Sequence, residues 1–438
     1  MKKPNTIDLF ALGMILIPFD NLIIAPSSGW ATVAPFFFLG YVLLNVKHLG
    51  KAFALVPGLM YCLVLLPPVQ VLLVAVNGFR AASFLDSLGT LALGVSFFLA
   101  MILRYRVFER DINEDAQRLY GAYVVSFCYG IARLVAVRFA PFVLPLFQFL
   151  EKRSYSRLAF SFTEPSFVSM HIIGVLWLMT WLVSDRKLAK KMLWLGCGFL
   201  ALEGITLGST RCIVDMGVFA LLYLAKSMLT QSRHVFRNGF LLACGVVAVG
   251  IVMVKVPRLA NILRDGVNAD ASGASRWFRI NAAVRGFRAE PVWAFLGRGM
   301  GNMILPLRLG FDQALQDYTN TYMAEINWLS QAKQVDSLFS MPVKILSDFG
   351  LPALAALVLY IVRRAGRRRL DLFAVVMVLW LYVQFDSYAF YTLWMLLFIV
   401  KFYDRESMGL SFYERISAML NRFKLGKDGP AGRLGNGR

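Results

Sequence analysis

Long uninterrupted blocks of apolar residues dominate this chain, rather than alternation or narrow helical stripes. Such a block crosses a hydrocarbon core of roughly 30 Å when it reaches about 17–25 residues. About twelve blocks fit that length rule, near 7–25, 29–46, 52–76, 84–103, 119–139, 166–184, 192–208, 212–229, 239–255, 338–362, 371–386 and 388–403. The pattern predicts an all-α polytopic membrane protein. The first block follows Lys2 and Lys3 and reads as an uncleaved span, because no small-x-small site follows and Asp20 and Asn21 interrupt its far end. The third contains Pro67 and Pro68, where a kink is expected.

Composition agrees with this reading. The 438 residues are 58% hydrophobic and 16% charged, against about 45–50% and about 25% for soluble domains. The formal charge of +20 is explained by orientation rather than by nucleic acid, since Lys and Arg gather on the cytoplasmic side of membrane proteins. With the N-terminus in the cytoplasm, more than half of these residues fall in cytoplasmic connections such as RYRVFERDINEDAQR, SDRKLAKK and RRAGRRR and in the tail. Both ends then lie inside.

The implied organisation is a transmembrane bundle over 1–255 with an external segment near 140–165, and a large Arg-rich external loop over 256–337. C-terminal spans follow over 338–403, then a cytoplasmic tail over 404–438. In the tail, GLSFYERISAMLNRFK has the spacing of an amphipathic helix on the inner leaflet, with a disordered end beyond it. Five scattered cysteines without CxxC spacing and three unclustered histidines offer no disulfide framework and no metal site.

Three external stretches carry candidate chemistry. In SFTEPSF (161–167), Thr163 can cap the helix that begins at Pro165. Glu164 either favours that helix N-terminus or serves as a carboxylate that takes a proton from a sugar hydroxyl. In LGSTRCIVDMG, Arg211 sits in a short turn and can pair with Asp215, or across the hairpin with Glu203. The stretch SRWFRINAAVRGFRAEPVWAFLGRGMG holds Arg276, Arg279, Arg285, Arg288 and Arg298, with aromatics that suit a membrane interface and can also stack on sugars. On one helix Arg276 and Arg279 point to a different side from Arg285 and Arg288, so they cannot all meet one phosphate. The turn with Gly297 and Gly299 can bring backbone N–H groups to an anion.

FTEPSF, STR and this Arg-rich stretch resemble the Wzy-type O-antigen and exopolysaccharide polymerases, relatives of the O-antigen ligases. Arg288, ten residues and Gly299 match an Arg-x(10)-Gly spacing of that family. The resemblance implies a GT-C-like fold and a metal-independent, inverting glycosyltransferase without a cofactor. It would act on the periplasmic face of the bacterial inner membrane, moving a growing glycan from undecaprenyl diphosphate to a lipid-linked repeat unit. In that reading Arg211 and Arg288 stabilise the leaving diphosphate, with Arg276, Arg279, Arg285, Arg298, Gly297 and Gly299 as binding residues. Glu164 is the first choice of base and Asp336 the second. The partners are lipid-linked oligosaccharides and the bilayer, leaving a chain-length-regulating co-polymerase open.

A ligase is the nearest rival, disfavoured because QVDSLFSMPVKILSDFG holds no histidine where ligases carry a His-rich motif. A flippase or transporter is the rival from another class. Its ionisable groups would sit near mid-bilayer rather than in an external Arg-rich loop.

Overall fold

The structure is a computed structural model, which describes residues 8–21, 32–153, 157–206, 209–230, 260–261, 264, 266–335 and 337–403. Among these residues every regular element is helical and none is a strand. The first half runs α1 (Leu9–Leu16), α2 (Ala34–Leu44), α3 (Leu49–Leu55), α4 (Pro57–Asn77), α5 (Ala81–Ile102), α6 (Ile112–Phe139), α7 (Leu144–Leu150), α8 (Val168–His171), α9 (Arg186–Thr206) and α10 (Thr210–Thr230). The second runs α11 (Ala271–Ala289), α12 (Pro291–Leu296), α13 (Ile304–Leu309), α14 (Phe311–Gln316), α15 (Ala324–Gln331), α16 (Met341–Arg367), α17 (Leu372–Leu381) and α18 (Tyr391–Phe402).

Among the described residues, four helices are long and apolar enough to cross a membrane: α4, α5 with its continuation to Val107, α6 and α16, at mean hydropathies of 2.3, 1.8, 1.4 and 2.1. The chain is membrane-embedded. Several other apolar blocks form shorter helices, α9 and α10 are as long as α4 but are not among the four, and the ninth block and the tail lie outside the described residues. The first block is shorter than its hydropathy predicts. Asp8 caps α1, the helix closes by Ile17, and Asp20 and Asn21 turn into the protein, both buried. The third block breaks at Val56 (φ −134°, ψ 60°), ahead of Pro57, and α4 then runs through Pro67 and Pro68. In α16, Gly350 (φ 80°, ψ 174°) separates a shorter first segment from a longer second one. Pro352 follows, with no N–H to carry a helical bond back across the break.

Ion pairs register the helices against one another. Asp8, before α1, and Asp115, at the start of α6, both bind the buried Arg104 at the far end of α5, at 2.8 and 2.9 Å. Lys226 near the end of α10 meets Asp371 before α17, while Arg211 at the start of α10 donates to the Leu381 carbonyl at the end of α17. These contacts sort the polar groups into two ends. One holds Asp8, Arg104, Asp115, Lys226 and Asp371. The other holds Asp20, Glu164, Arg211 and the 271–340 region.

That region is a folded helical unit. Phe278, Ala282, Phe287, Ile304, Leu307 and Leu329 form a core separate from that of the bundle. A Cβ on Gly286 would lie 1.9 Å from the Pro306 carbonyl oxygen, so only glycine lets α11 and the chain at Pro306 approach so closely.

Candidate functional site

The segment before α8 is held from below by the end of the first apolar block. The Asp20 carboxylate accepts from the Thr163 backbone N–H at 2.7 Å and lies 3.1 Å from His171 Nε2. Thr163 Oγ1 donates to the Asp20 carbonyl, so this threonine ties two segments together instead of capping the helix as its sequence position predicts. Ser161 Oγ donates to the Pro18 carbonyl, and Asn21 exchanges hydrogen bonds with the backbone of Arg153. On the other side of His171, Tyr123 OH lies 3.1 Å from Nδ1, and Phe162 stacks on the ring at 4.2 Å. Sequence reasoning misses this scaffold. Its one signal is a polar pair, Asp20 and Asn21, closing an otherwise apolar run.

Glu164 stands on this platform in extended conformation and leads into the single turn begun by Pro165. Its carboxylate meets Arg153 at 3.2 Å, Ser166 Oγ at 3.0 Å and Arg276 of α11 at 3.5 Å. The helix α10, which carries Arg211, packs against the Pro165–Phe167 turn that follows Glu164. Arg211 is buried, with its Nε 3.6 Å from Asp215 and its Nη2 held by the Leu381 carbonyl. Asp215 in turn accepts from Ser169 and Trp380. The pairing across the hairpin does not form. Glu203 faces inward, with neither carboxylate oxygen hydrogen-bonded among the described residues, because the helical i, i+4 spacing brings Asp215 to Arg211 first.

Phe339 holds the other side of the cluster. It takes a left-handed backbone (φ 57°), and its ring lies under both Arg276 and Arg279, at 5.2 and 4.8 Å. The Asp386 carboxylate fixes that conformation by accepting from the backbone N–H of Leu338 (2.6 Å) and Phe339 (3.0 Å) and from Ser337 Oγ. Next to Asp386, the Phe385 ring faces Arg211 at 5.8 Å. Arg153, Arg211 and Arg276 thus gather around two carboxylates, Glu164 and Asp215, leaving an excess of positive charge. Burial, with a smaller contribution from the neighbouring Arg153, pushes the Lys152 ammonium below the usual lysine range.

The remaining arginines part company with this cluster. Arg279 is committed to Glu325 and to the Ser337 carbonyl. Arg285 binds Asp317 and Asn281. Arg298 binds Glu290 and Asn77 and lies over the Trp293 ring. Arg288 is exposed and twelve residues along α11 from Arg276, about 18 Å at 1.5 Å per residue. Arg288 is thus set apart from the Glu164–Arg276 contact.

Gly297 abuts Gly350, Gly299 abuts Leu73 and Val74, and two N–H groups of the turn are taken, Arg298 by the Ser347 carbonyl and Met300 by Gln70. Gly297 and Gly299 serve packing. Asp336 lies outside the described residues. Among the described residues no three His, Cys, Asp or Glu side chains converge as a metal-binding group.

No family model matches this chain, and no curated protein matches it.

Proposed function

We propose that the protein is a polysaccharide polymerase of the O-antigen or exopolysaccharide type, built as a GT-C-like bundle of about twelve spans in the bacterial inner membrane. The growing glycan leaves undecaprenyl diphosphate and joins a lipid-linked repeat unit at the periplasmic end of the bundle. One observation supports this above the rest: at one end of a membrane-embedded helical bundle Arg276 of α11 meets Glu164, and α10, which carries Arg211, packs against the turn that follows Glu164.

The chemistry needs an anion stabiliser and a proton acceptor. In the proposed step an acceptor hydroxyl oxygen attacks the anomeric carbon opposite the diphosphate. The carbon–oxygen bond to the diphosphate breaks, its electron pair stays on the leaving oxygen, and the configuration inverts. Arg211 and Arg276 face the developing charge. Preorganised donors of this kind contribute about 3–4 kcal/mol each to a transition state, and the planar guanidinium fork suits phosphate oxygens. Glu164 takes the hydroxyl proton.

The deciding experiment incubates the purified protein in lipid vesicles with lipid-linked repeat units and resolves the products on a gel. A ladder of multiple repeats is expected. Transfer only to a lipid A-core acceptor would replace the reading with a ligase, and movement of intact lipid-linked units across the vesicle without new bonds would replace it with a transporter.

A further inference from the structure

We propose that α12, together with Arg288, is an interfacial anchor seated in the membrane leaflet on this side of the bundle, with Arg288 on the phosphates of the surrounding phospholipids. The observations are independent of the catalytic reading. The six-residue helix PVWAFL turns Trp293 and Ala294 toward the protein, and leaves Val292, Phe295 and Leu296 exposed at 63%, 56% and 48%. Spacings of three and four residues put these three side chains on one face.

Its depth is set by what it touches. Gly297, at its C-terminal end, sits against Phe349 and Gly350, where α16 breaks. Arg298 donates to Asn77, the last residue of α4, and Gly299 packs on Leu73 and Val74 of the same helix. The helix α4 is one of the four long enough to cross a membrane and keeps little of its surface buried, with Val69, Leu72 and Val76 all exposed. The apolar face of α12 therefore continues the lipid-facing surface of α4 and of α16, where Leu351 is also exposed. An exposed apolar face at that level is covered by the upper acyl region of a bilayer.

Charge complements the apolar face. Arg288 is exposed at the end of α11, three residues before α12 begins, and has no ion-pair or hydrogen-bond partner among the described residues. Each of the other four arginines of the stretch has a carboxylate. A guanidinium beside an interfacial helix reaches the phosphate layer on its flexible stem.

The test uses the full-length protein in vesicles of phosphatidylethanolamine and phosphatidylglycerol. A photoreactive benzophenone side chain replaces Phe295, Val292 or, as control, Asp312, which is exposed on α14. Illumination followed by mass spectrometry is expected to give phospholipid adducts at 295 and 292 and several-fold less at 312. Arg288→Glu is expected to lower the adduct yield at 295 several-fold, and Arg288→Lys to retain most of it. Equal yields at 295, 292 and 312 would overturn the anchor. So would adducts that form only once undecaprenyl diphosphate is added, because the face would then belong to the substrate lipid. Unchanged yield in Arg288→Glu would overturn the phosphate contact.

Discussion

Arg276 Nη2 lies 3.5 Å from Glu164 Oε2, although 112 positions separate the two residues in the chain. This contact joins the helical unit over the bundle to the segment clamped by Asp20. It makes Arg276, more than Arg288, the arginine of α11 that serves the proposed leaving group. Arg276→Ala is expected to slow elongation by about 10²–10³, the loss typical of one preorganised donor. Arg288→Ala, about 18 Å away along the helix, is expected to stay within a few-fold of the parent. Elongation rates on lipid-linked repeat units check both, and the reverse ranking would remove Arg276 from the site.

Arg211 and Asp215 carry a structural load as well. Both are buried, and removing one partner strands the other charge in a low-dielectric interior. Arg211→Ala is expected to cost about 3–5 kcal/mol of stability by that route, seen as a lowered melting temperature in detergent. Glu164→Gln is expected to leave the melting temperature nearly unchanged while slowing elongation, because Glu164 is partly exposed and its ion pairs are correspondingly weak. A Glu164→Gln protein that melted as early as Arg211→Ala would show that Glu164 is structural.

How far these features can be read in advance depends on their range. Helical, membrane-embedded character is a property of composition and block length, so it is legible in any window of the sequence. Glu164 and Arg211 stand out because charge is scarce beside spans. The convergence of Arg276 on Glu164 is a long-range contact with no local signature. The break at Val56 and the short α1 illustrate the same limit: hydropathy measures where a helix is tolerated in lipid, and packing and polar clamps decide where it ends. Phe339 has no signal at all, since its left-handed conformation is imposed by Asp386, 47 residues away. The glycines of GRGMG are visible, but a positive φ serves close packing as readily as anion binding, and Gly350 and Val74 reveal which.

The Asp20 clamp predicts a local effect. Asp20→Ala removes the acceptor of the Thr163 N–H, leaving a buried donor unpaired at about 1–3 kcal/mol, and frees His171 on one side. The chain around Arg153 and over 157–164 is then expected to loosen. Limited trypsin digestion should cleave faster after Lys152, Arg153 or Arg157 in Asp20→Ala than in the parent, with Asp20→Asn intermediate because its amide oxygen can still accept. Unchanged cleavage would mean that Asn21 and Ser161 hold the segment alone.

Gly350 provides the sharpest contrast within a single helix. Its φ of 80° is strained for any residue with a side chain, and an added Cβ would lie 2.1 Å from the Phe295 carbonyl oxygen. Backbone strain alone costs about 1–3 kcal/mol in that region, and the clash pushes α12 off the break in α16. Gly366, in the same helix, has no positive φ, and a Cβ added there would meet nothing within 4 Å. Alanine at 366, one residue before the end of α16, therefore meets neither backbone strain nor a clash. Gly350→Ala is expected to lower the melting temperature and to reduce phospholipid adducts at position 295, and Gly366→Ala to do neither. If Gly350→Ala melted with the parent and kept its adducts, the seating of α12 against the break would be wrong.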